Sequence, residues 1–195
     1  MFVRHGDPDV YVIGSLCGGT CSGMAADLGF VLKYRLGIPN PVAILTIPSK
    51  ADINGALPTI YASNAYAALT ELDYWYRNIA GKPDIVLPDG DTVSGTAFPY
   101  KRICLESTTT ANGQAMVRHN ASDLAGLNEM IALNLFMEAC AGTHTFREGE
   151  RQDYTQLLTS PQLLDPLENR PRAYWSVGAS MIACPKYTIA LAAAD

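Results

Sequence analysis

The sequence predicts one α/β domain in which helices flank a mostly parallel sheet. Short apolar runs, typical of strands buried on both faces, alternate with longer segments of helical periodicity. The chain has 195 residues, 48% hydrophobic and 17% charged, which supplies one sizeable core and excludes a disordered chain. Residues 1–195 are therefore expected to form a single domain, in which the polar, proline-containing segment 144–171 is an exposed connection.

The first three elements predict a βαβ unit. Residues 10–16 are a short apolar run with strand character, and residues 22–36 follow with helical spacing. The apolar positions of that helix that share one face are Met24, Leu28, Val31 and Leu32. Gly37 ends the helix, and residues 42–47 form a second buried strand. The two strands should pair in parallel through a right-handed crossover.

A second helix is predicted over residues 59–80. Its apolar face consists of Ala65, Ala68, Leu69, Leu72, Tyr76 and Ile79. Residues 85–93 contain two short β-like runs around Pro88-Asp89-Gly90, which predicts a hairpin or an ordered loop. Residues 102–105 are a third candidate core strand.

A long helix should then begin at the capping residues Ser122 and Asp123 and end at Gly142. It is apolar nearly all round, which is expected of a helix in the middle of a protein. The last stretch, residues 175–195, opens with strand character.

Charge and cysteine content narrow the functional classes. A formal net charge of -5 argues against nucleic acid as a partner, because a phosphate backbone requires a basic surface. No apolar run is long enough to cross a bilayer, and the first residues do not form a signal peptide, so a cytoplasmic protein without a membrane partner is expected. The odd number of cysteines without paired spacing favours reduced thiols. They are Cys17, Cys21, Cys104, Cys140 and Cys184.

The most informative stretch is LCGGTCSG, residues 16–23, at the turn between the first strand and the first helix. Ligands of open α/β sheets bind beyond the carboxyl ends of the strands, and glycines at a helix start let backbone N–H groups approach phosphate oxygens. The candidate phosphate-binding residues are Gly18, Gly19, Thr20, Ser22 and Gly23. The alternative is a tight turn that needs glycine only for positive φ. Three glycines interleaved with hydroxyls favour phosphate binding.

The stretch is neither a P-loop nor a dinucleotide fingerprint. It resembles the phosphate-loop signature of the tubulin superfamily, GGGTGSG, and within that superfamily it is most similar to bacterial tubulin-like domain proteins. Looser similarity continues through SNAYAALTELDYW, RICLESTTTANG and SVGASMIACP. The resemblance implies a Rossmann-like nucleotide-binding domain of tubulin type. It also implies binding of GTP or another purine nucleotide with Mg²⁺ carried by the nucleotide, and it places a base-recognising asparagine at Asn112.

Two departures from the family pattern qualify this resemblance. Cys17 and Cys21 stand where the signature has glycine, and a side chain there would strain a left-handed backbone or crowd a phosphate. The cysteines could also be a metal or redox pair, but their spacing is not CxxC, and a plain substitution is favoured. Family members also have an earlier strand with a glycine-rich loop, and a later acidic loop that completes hydrolysis across a subunit contact. The chain is therefore expected to be an incomplete domain of a longer parent.

Three functional hypotheses follow. The first is a nucleotide-binding protein that self-associates and polymerises, with GTPase activity in the full-length parent and no turnover by this chain alone. The second is a scaffold or assembly module that kept the fold and lost its site, and the two cysteines favour it. The third is a histidine phosphatase, based on the tetrad VRHG at residues 3–6, with Arg118-His119 and His144 as further partners.

Overall fold

The computed structural model of the chain describes residues 10–48, 58–76, 82–87, 89–94, 98–108, 124–139 and 174–175. In chain order the elements are β1 (Tyr11–Ser15), α1 (Gly19–Phe30), β2 (Val42–Thr46), α2 (Pro58–Tyr76), β3 (Ile85–Val86), β4 (Thr92–Val93), β5 (Arg102–Glu106), α3 (Leu124–Ala139) and β6 (Tyr174–Trp175). The predicted alternation of strands and helices is confirmed in these residues.

Four strands form a parallel sheet in the order β1-β2-β5-β6. Strand β2 lies between β1 and β5, with Ile44 aligned with Ile13 on one side and Cys104 on the other. Residues 42–45 are all buried, because neighbouring strands and helices cover this strand on both edges and both faces. The predicted βαβ unit and the mostly parallel sheet are therefore confirmed.

Alternating side chains of the strands pack into two separate hydrophobic cores, one on each face of the sheet. Ala43, Leu45 and Ile103 point to the face that is covered by α1, α2 and the β3–β4 hairpin. Ile44 and Cys104 point to the opposite face, where they pack against α3. The domain therefore has three layers, with the sheet in the middle.

The face that α1 turns to the core differs from the predicted one. The buried residues of α1 are Ser22, Ala25, Ala26, Gly29 and Phe30. Met24 is 53% exposed and Leu28 is 37% exposed, so the prediction that they lie on the inner face is wrong. Small residues face inward because α1 approaches its neighbours closely: a Cβ on Gly29 would lie 2.6 Å from the Pro99 Cβ. Helix α1 also begins at Gly19, three residues earlier than predicted.

Tyr100 connects α1 to the segment before β5. Its side chain is 1% exposed, and its hydroxyl donates a hydrogen bond of 2.5 Å to the carbonyl of Ala25. A Cβ on Gly29 would meet the Tyr100 ring at 2.7 Å. The ring therefore fills the space that the small residues of α1 leave. The hydrogen bond to Ala25 gives the buried hydroxyl the partner that it would otherwise lack.

Helix α1 ends in a π-helical turn, Val31–Arg35, which residue spacing did not predict. The amide of Leu36 donates to the carbonyl of Val31, and Gly37 has φ +67, as expected of the residue that ends a helix. Two basic side chains of this wider turn contact other segments. Lys33 Nζ donates to the carbonyl of Phe98 at 2.8 Å, and Arg35 Nε lies 2.5 Å from a carboxylate oxygen of Asp89.

Strands β3 and β4 form the predicted hairpin, which is antiparallel and separate from the main sheet. Gly90 has φ +90, a conformation that glycine tolerates, and the amide of Leu87 donates to the carbonyl of Asp91 at 2.7 Å. The carboxylates of Asp89 and Asp91 both face Arg35. The hairpin is thereby tied to the end of α1.

Helices α2 and α3 were predicted with different success. In α2 the predicted inner residues Ala65, Ala68 and Leu72 are buried, which confirms that face. In α3 one stripe packs on the sheet, whereas Leu133 is 39% exposed and Phe136 is 65% exposed. The expectation that this helix is surrounded by protein is therefore wrong for its outer side. The predicted caps Ser122 and Asp123, the connection 144–171 and Ile79 lie outside the described residues.

Gly29→Ala should destabilise the fold by about 1–3 kcal/mol, because the added methyl group overlaps the Pro99 side chain and the Tyr100 ring. Gly23→Ala in the same helix is the matched control, since a Cβ there meets nothing within 4 Å. The control should leave the free energy of unfolding unchanged or raise it by up to about 1 kcal/mol. Urea unfolding measures both, and equal effects of the two variants would contradict the close approach of α1.

Tyr100 should make the fold sensitive to alkaline pH. Burial raises the pKa of its phenol above the ordinary value of 10.0, and a neighbouring negative charge on Cys21 would raise it further. Above pH 10.0 the unfolded chain loses the phenolic proton while the folded chain keeps it, so the free energy of unfolding falls as pH rises. Tyr100→Phe should show a shallower fall in urea unfolding between about pH 8 and pH 11. Identical slopes for both proteins would contradict this role.

Candidate functional site

The carboxyl ends of three parallel strands lie level at one edge of the sheet. The amide of Leu16, directly after β1, donates to the carbonyl of Thr46 in β2 at 2.9 Å. The amide of Ile47, directly after β2, donates to the carbonyl of Glu106 in β5 at 2.8 Å. The chain therefore leaves all three strands at the edge where open α/β sheets bind their ligands.

The glycine-rich loop forms the start of α1. Gly18 is the N-cap, with φ -88 and ψ 147, and no side chain caps the helix. The first intrahelical hydrogen bond runs from the amide of Ser22 to the carbonyl of Gly18 at 3.2 Å. Within the described part of the chain, the preceding amides of Gly19, Thr20 and Cys21 have no internal acceptor. These three N–H groups lie at the N-terminus of α1, which is the end of a helix that favours anions.

The loop glycines provide clearance rather than an unusual backbone. A Cβ built on Gly18, Gly19 or Gly23 meets nothing within 4 Å, and none of these residues has a positive φ. The alternative that the loop needs glycine only for a left-handed turn is therefore excluded. The absence of Cβ atoms at these positions is what lets a phosphate approach the main chain of such a loop.

The two loop hydroxyls have different surroundings. Thr20 is exposed in the first turn of α1, beside the unpaired amides. Ser22 is only 9% exposed, and its hydroxyl donates to the carbonyl of Gly19 at 3.2 Å. The donor of Ser22 is therefore used inside the loop. Of the two loop hydroxyls, that of Thr20 belongs to the exposed residue.

The Cys21 side chain points away from the loop glycines, toward β1. The Cys21 side chain is half-buried, and its Sγ lies against Gly14 of β1, where an added Cβ would collide with it. Burial raises the pKa of the Cys21 thiol, so it stays protonated at neutral pH and is unsuited to thiolate chemistry. Cys21 also lies within α1, so its backbone is right-handed. The main chain of Cys17 forms two hydrogen bonds: its amide donates to Ser15 Oγ at 3.3 Å, and its carbonyl accepts one from Asn64.

The structure adds three polar residues to this edge that the sequence analysis did not predict. Asn64 of α2 reaches the loop through its side-chain amide. Glu106 is fully buried at the end of β5. Thr108 is 2% exposed, and its hydroxyl oxygen has no hydrogen-bond partner within the described residues. Glu106 could have been predicted as a site residue, because a charged residue stands at the end of a buried strand. Nothing in the sequence around Asn64 indicates such a role.

Several predicted residues cannot be placed. Asn112, the tetrad 3–6, Arg118-His119 and His144 lie outside the described residues. Where the chain is described, no group of three or more His, Cys, Asp or Glu side chains could hold a metal ion. None of the helices in those ranges is long and apolar enough to cross a membrane.

Gly14 and Cys21 should be energetically coupled. Gly14→Ala should cost about 1–3 kcal/mol because its methyl group overlaps the Cys21 sulfur. Adding Cys21→Ala removes the sulfur, so the double variant should be more stable than Gly14→Ala alone. Gly18→Ala is the control for a glycine with free space, and it should change stability little. A double-mutant cycle by urea unfolding measures the coupling, and strictly additive effects would contradict the contact.

Comparison with known families agrees with the geometry of the loop and the sheet. A family model described as tubulin like matches residues 2–195, which is nearly the whole chain. No curated protein and no solved structure matches the chain closely enough to be taken as a relative. The parallel sheet, its covering helices and the glycine-rich turn after β1 are consistent with this match. The chain therefore belongs to the tubulin-like family.

Proposed function

We propose that this chain binds GTP or another purine nucleotide through the loop 17–23, with the phosphates at the N-terminus of α1. The observation that carries the proposal is a set of three amides, on Gly19, Thr20 and Cys21, that have no acceptor within the described residues and lie beside glycines whose Cβ positions are clear. Membership of the tubulin-like family supports it, and the loop resembles the phosphate-loop signature of the tubulin superfamily.

Charge at the loop favours an anion. The partial positive charge of the helix N-terminus points at the opening, and the first turn of α1 carries no acidic residue. The described residues therefore fit a phosphate group. A nucleotide would bring Mg²⁺ with it, and the cation would offset the remaining phosphate charge. The chain's own contribution is to orient the phosphates with backbone donors and the Thr20 hydroxyl.

The end of β5 favours a ligand that extends along the same edge. The Thr108 hydroxyl is buried and has no hydrogen-bond partner among the residues that the structure describes, and a buried polar atom of this kind is stabilised when a ligand or water supplies a hydrogen bond. A nucleoside attached to phosphates at α1 would extend across the strand ends. We include in the proposal that Asn112, which follows β5 in sequence, reads the base.

Hydrolysis coupled to self-association also belongs to the proposal. We propose no turnover by this chain alone, because members of the family that it resembles complete hydrolysis with an acidic loop across a subunit contact. A scaffold that retains the fold without binding nucleotide is the competing function. The inward packing of Cys21 weakens the main argument for it, since this side chain is packed against β1. Family membership likewise favours nucleotide binding over the histidine phosphatase hypothesis.

Gly19→Pro tests the proposal by removing one backbone donor while retaining the helix. Gly19 is the first helical residue, where proline is favoured, and Gly18 already has the extended conformation that a residue before proline requires. The variant should bind GTP or GDP roughly tenfold to a hundredfold more weakly, because a hydrogen bond to a charged group is lost. Isothermal titration and nucleotide-dependent thermal shift are the measurements.

Gly19→Ala is the matched control, since it adds a Cβ in open space and keeps the amide. Its affinity should stay much closer to that of the unaltered chain. Saturating nucleotide, at about a hundred times Kd, should stabilise the unaltered chain by about 2.7 kcal/mol. The absence of any stabilisation by guanine or adenine nucleotides would refute nucleotide binding and favour the scaffold.

A further inference from the structure

Asn64 links two elements that are far apart in sequence. Its side-chain Nδ2 donates a hydrogen bond of 2.9 Å to the carbonyl of Cys17, across 47 residues. The bond is partly buried between the beginning of α1 and the first half of α2. Farther along the same pair of helices, the ring centroids of Phe30 and Trp75 lie 5.4 Å apart. Asn64 therefore acts at the loop end of a packed helix pair.

The hydrogen bond determines the direction of the next amide. A trans peptide is planar, and its C=O and N–H point in opposite directions. Because Asn64 holds the Cys17 carbonyl toward α2, the N–H of Gly18 points away from α2. Residues 16–17 form a turn that ends at this amide, but the amide makes no close backbone hydrogen bond within the described residues. It is a fourth N–H beside those of Gly19, Thr20 and Cys21.

Glycine at position 18 makes such a restraint necessary. Gly18 has φ -88, but glycine also adopts positive φ readily, and a Cβ at this position would meet nothing. The peptide between Cys17 and Gly18 could therefore turn over. It would then present a carbonyl oxygen, instead of an N–H, to an incoming anion. No side chain caps the helix at Gly18 to prevent this.

We infer that Asn64 is a positioning residue that selects the anion-binding orientation of the Cys17–Gly18 peptide. The inference rests on the proposed nucleotide function for its purpose, although the peptide orientation can be measured without a ligand. Asn64 does not itself contact phosphate. It acts by fixing the main chain that does.

Binding measurements test whether Asn64 supports nucleotide binding. Asn64→Leu removes the donor without adding charge, so the peptide is no longer restrained, and the affinity for GTP or GDP should fall at least about tenfold. Thr70→Ala is the matched control on the same helix, because the Thr70 hydroxyl donates only to the carbonyl of Tyr66 one turn away. The control should bind like the unaltered chain. Thermal unfolding of each variant establishes that it is folded.

Nuclear magnetic resonance of the Gly18 amide tests the orientation directly. Asn64→Asp replaces the donor with an acceptor, which repels the Cys17 carbonyl and attracts the Gly18 N–H. The Gly18 amide proton should shift downfield and exchange more slowly with solvent. Adding Gly18→Ala disfavours positive φ and should return the amide of residue 18 to fast exchange. This pattern is not expected of a residue that only stabilises the helix pair.

The outcomes separate the two proposals. If the unaltered chain binds nucleotide and Asn64→Leu binds equally well, the positioning role is overturned while the proposed function stands. If no nucleotide binds, the proposed function fails, and the Gly18 resonance still decides whether Asn64 sets the peptide. An unchanged Gly18 resonance in Asn64→Asp would overturn the inference in either case.

Discussion

The close approach of α1 to its neighbours is the constraint on which the rest of the domain depends. Gly29 leaves no room for a side chain against Pro99 and Tyr100, and the Tyr100 hydroxyl is bonded to the Ala25 carbonyl. This contact sets how far the helix lies from the sheet and therefore where its first turn stands relative to the strand ends. Larger inward residues would lift α1 and move its amides away from the edge at which the chain leaves β2 and β5.

The sequence predicted the sheet well and the helix faces less well, for physical reasons that differ. Strands buried on both faces are continuous apolar runs, so β2 was recognisable without knowledge of its neighbours. In α1, the periodicity of apolar residues predicted that Met24 and Leu28 face the core, but both are exposed. Hydrophobicity alone does not show that a close helix contact requires small residues. The glycine-rich turn was recognisable because its composition is local. The role of Asn64 was not, because it depends on a contact between helices that only the fold creates.

The loop shows how the chain accommodates a side chain where the family signature has glycine. Cys21 directs its sulfur toward β1, and Gly14 is the residue that leaves space for it. The Cys21 side chain thus lies on the side of the first turn that faces β1. On the other side, Gly18 and Gly19 have no Cβ. A departure from a signature is therefore best judged by the direction of the new side chain, since the same residue could obstruct the loop or leave it open.

The π-helical turn at the far end of α1 has a consequence for ligand binding. Lys33 and Arg35 fasten that end to Phe98 and to the hairpin carboxylate of Asp89, while Asn64 fastens the other. Contacts at both ends of the helix restrict sliding and tilting of α1. Under the proposed function, a helix restricted in this way would lose little conformational freedom on binding an anion, so more of the electrostatic attraction would be retained as affinity.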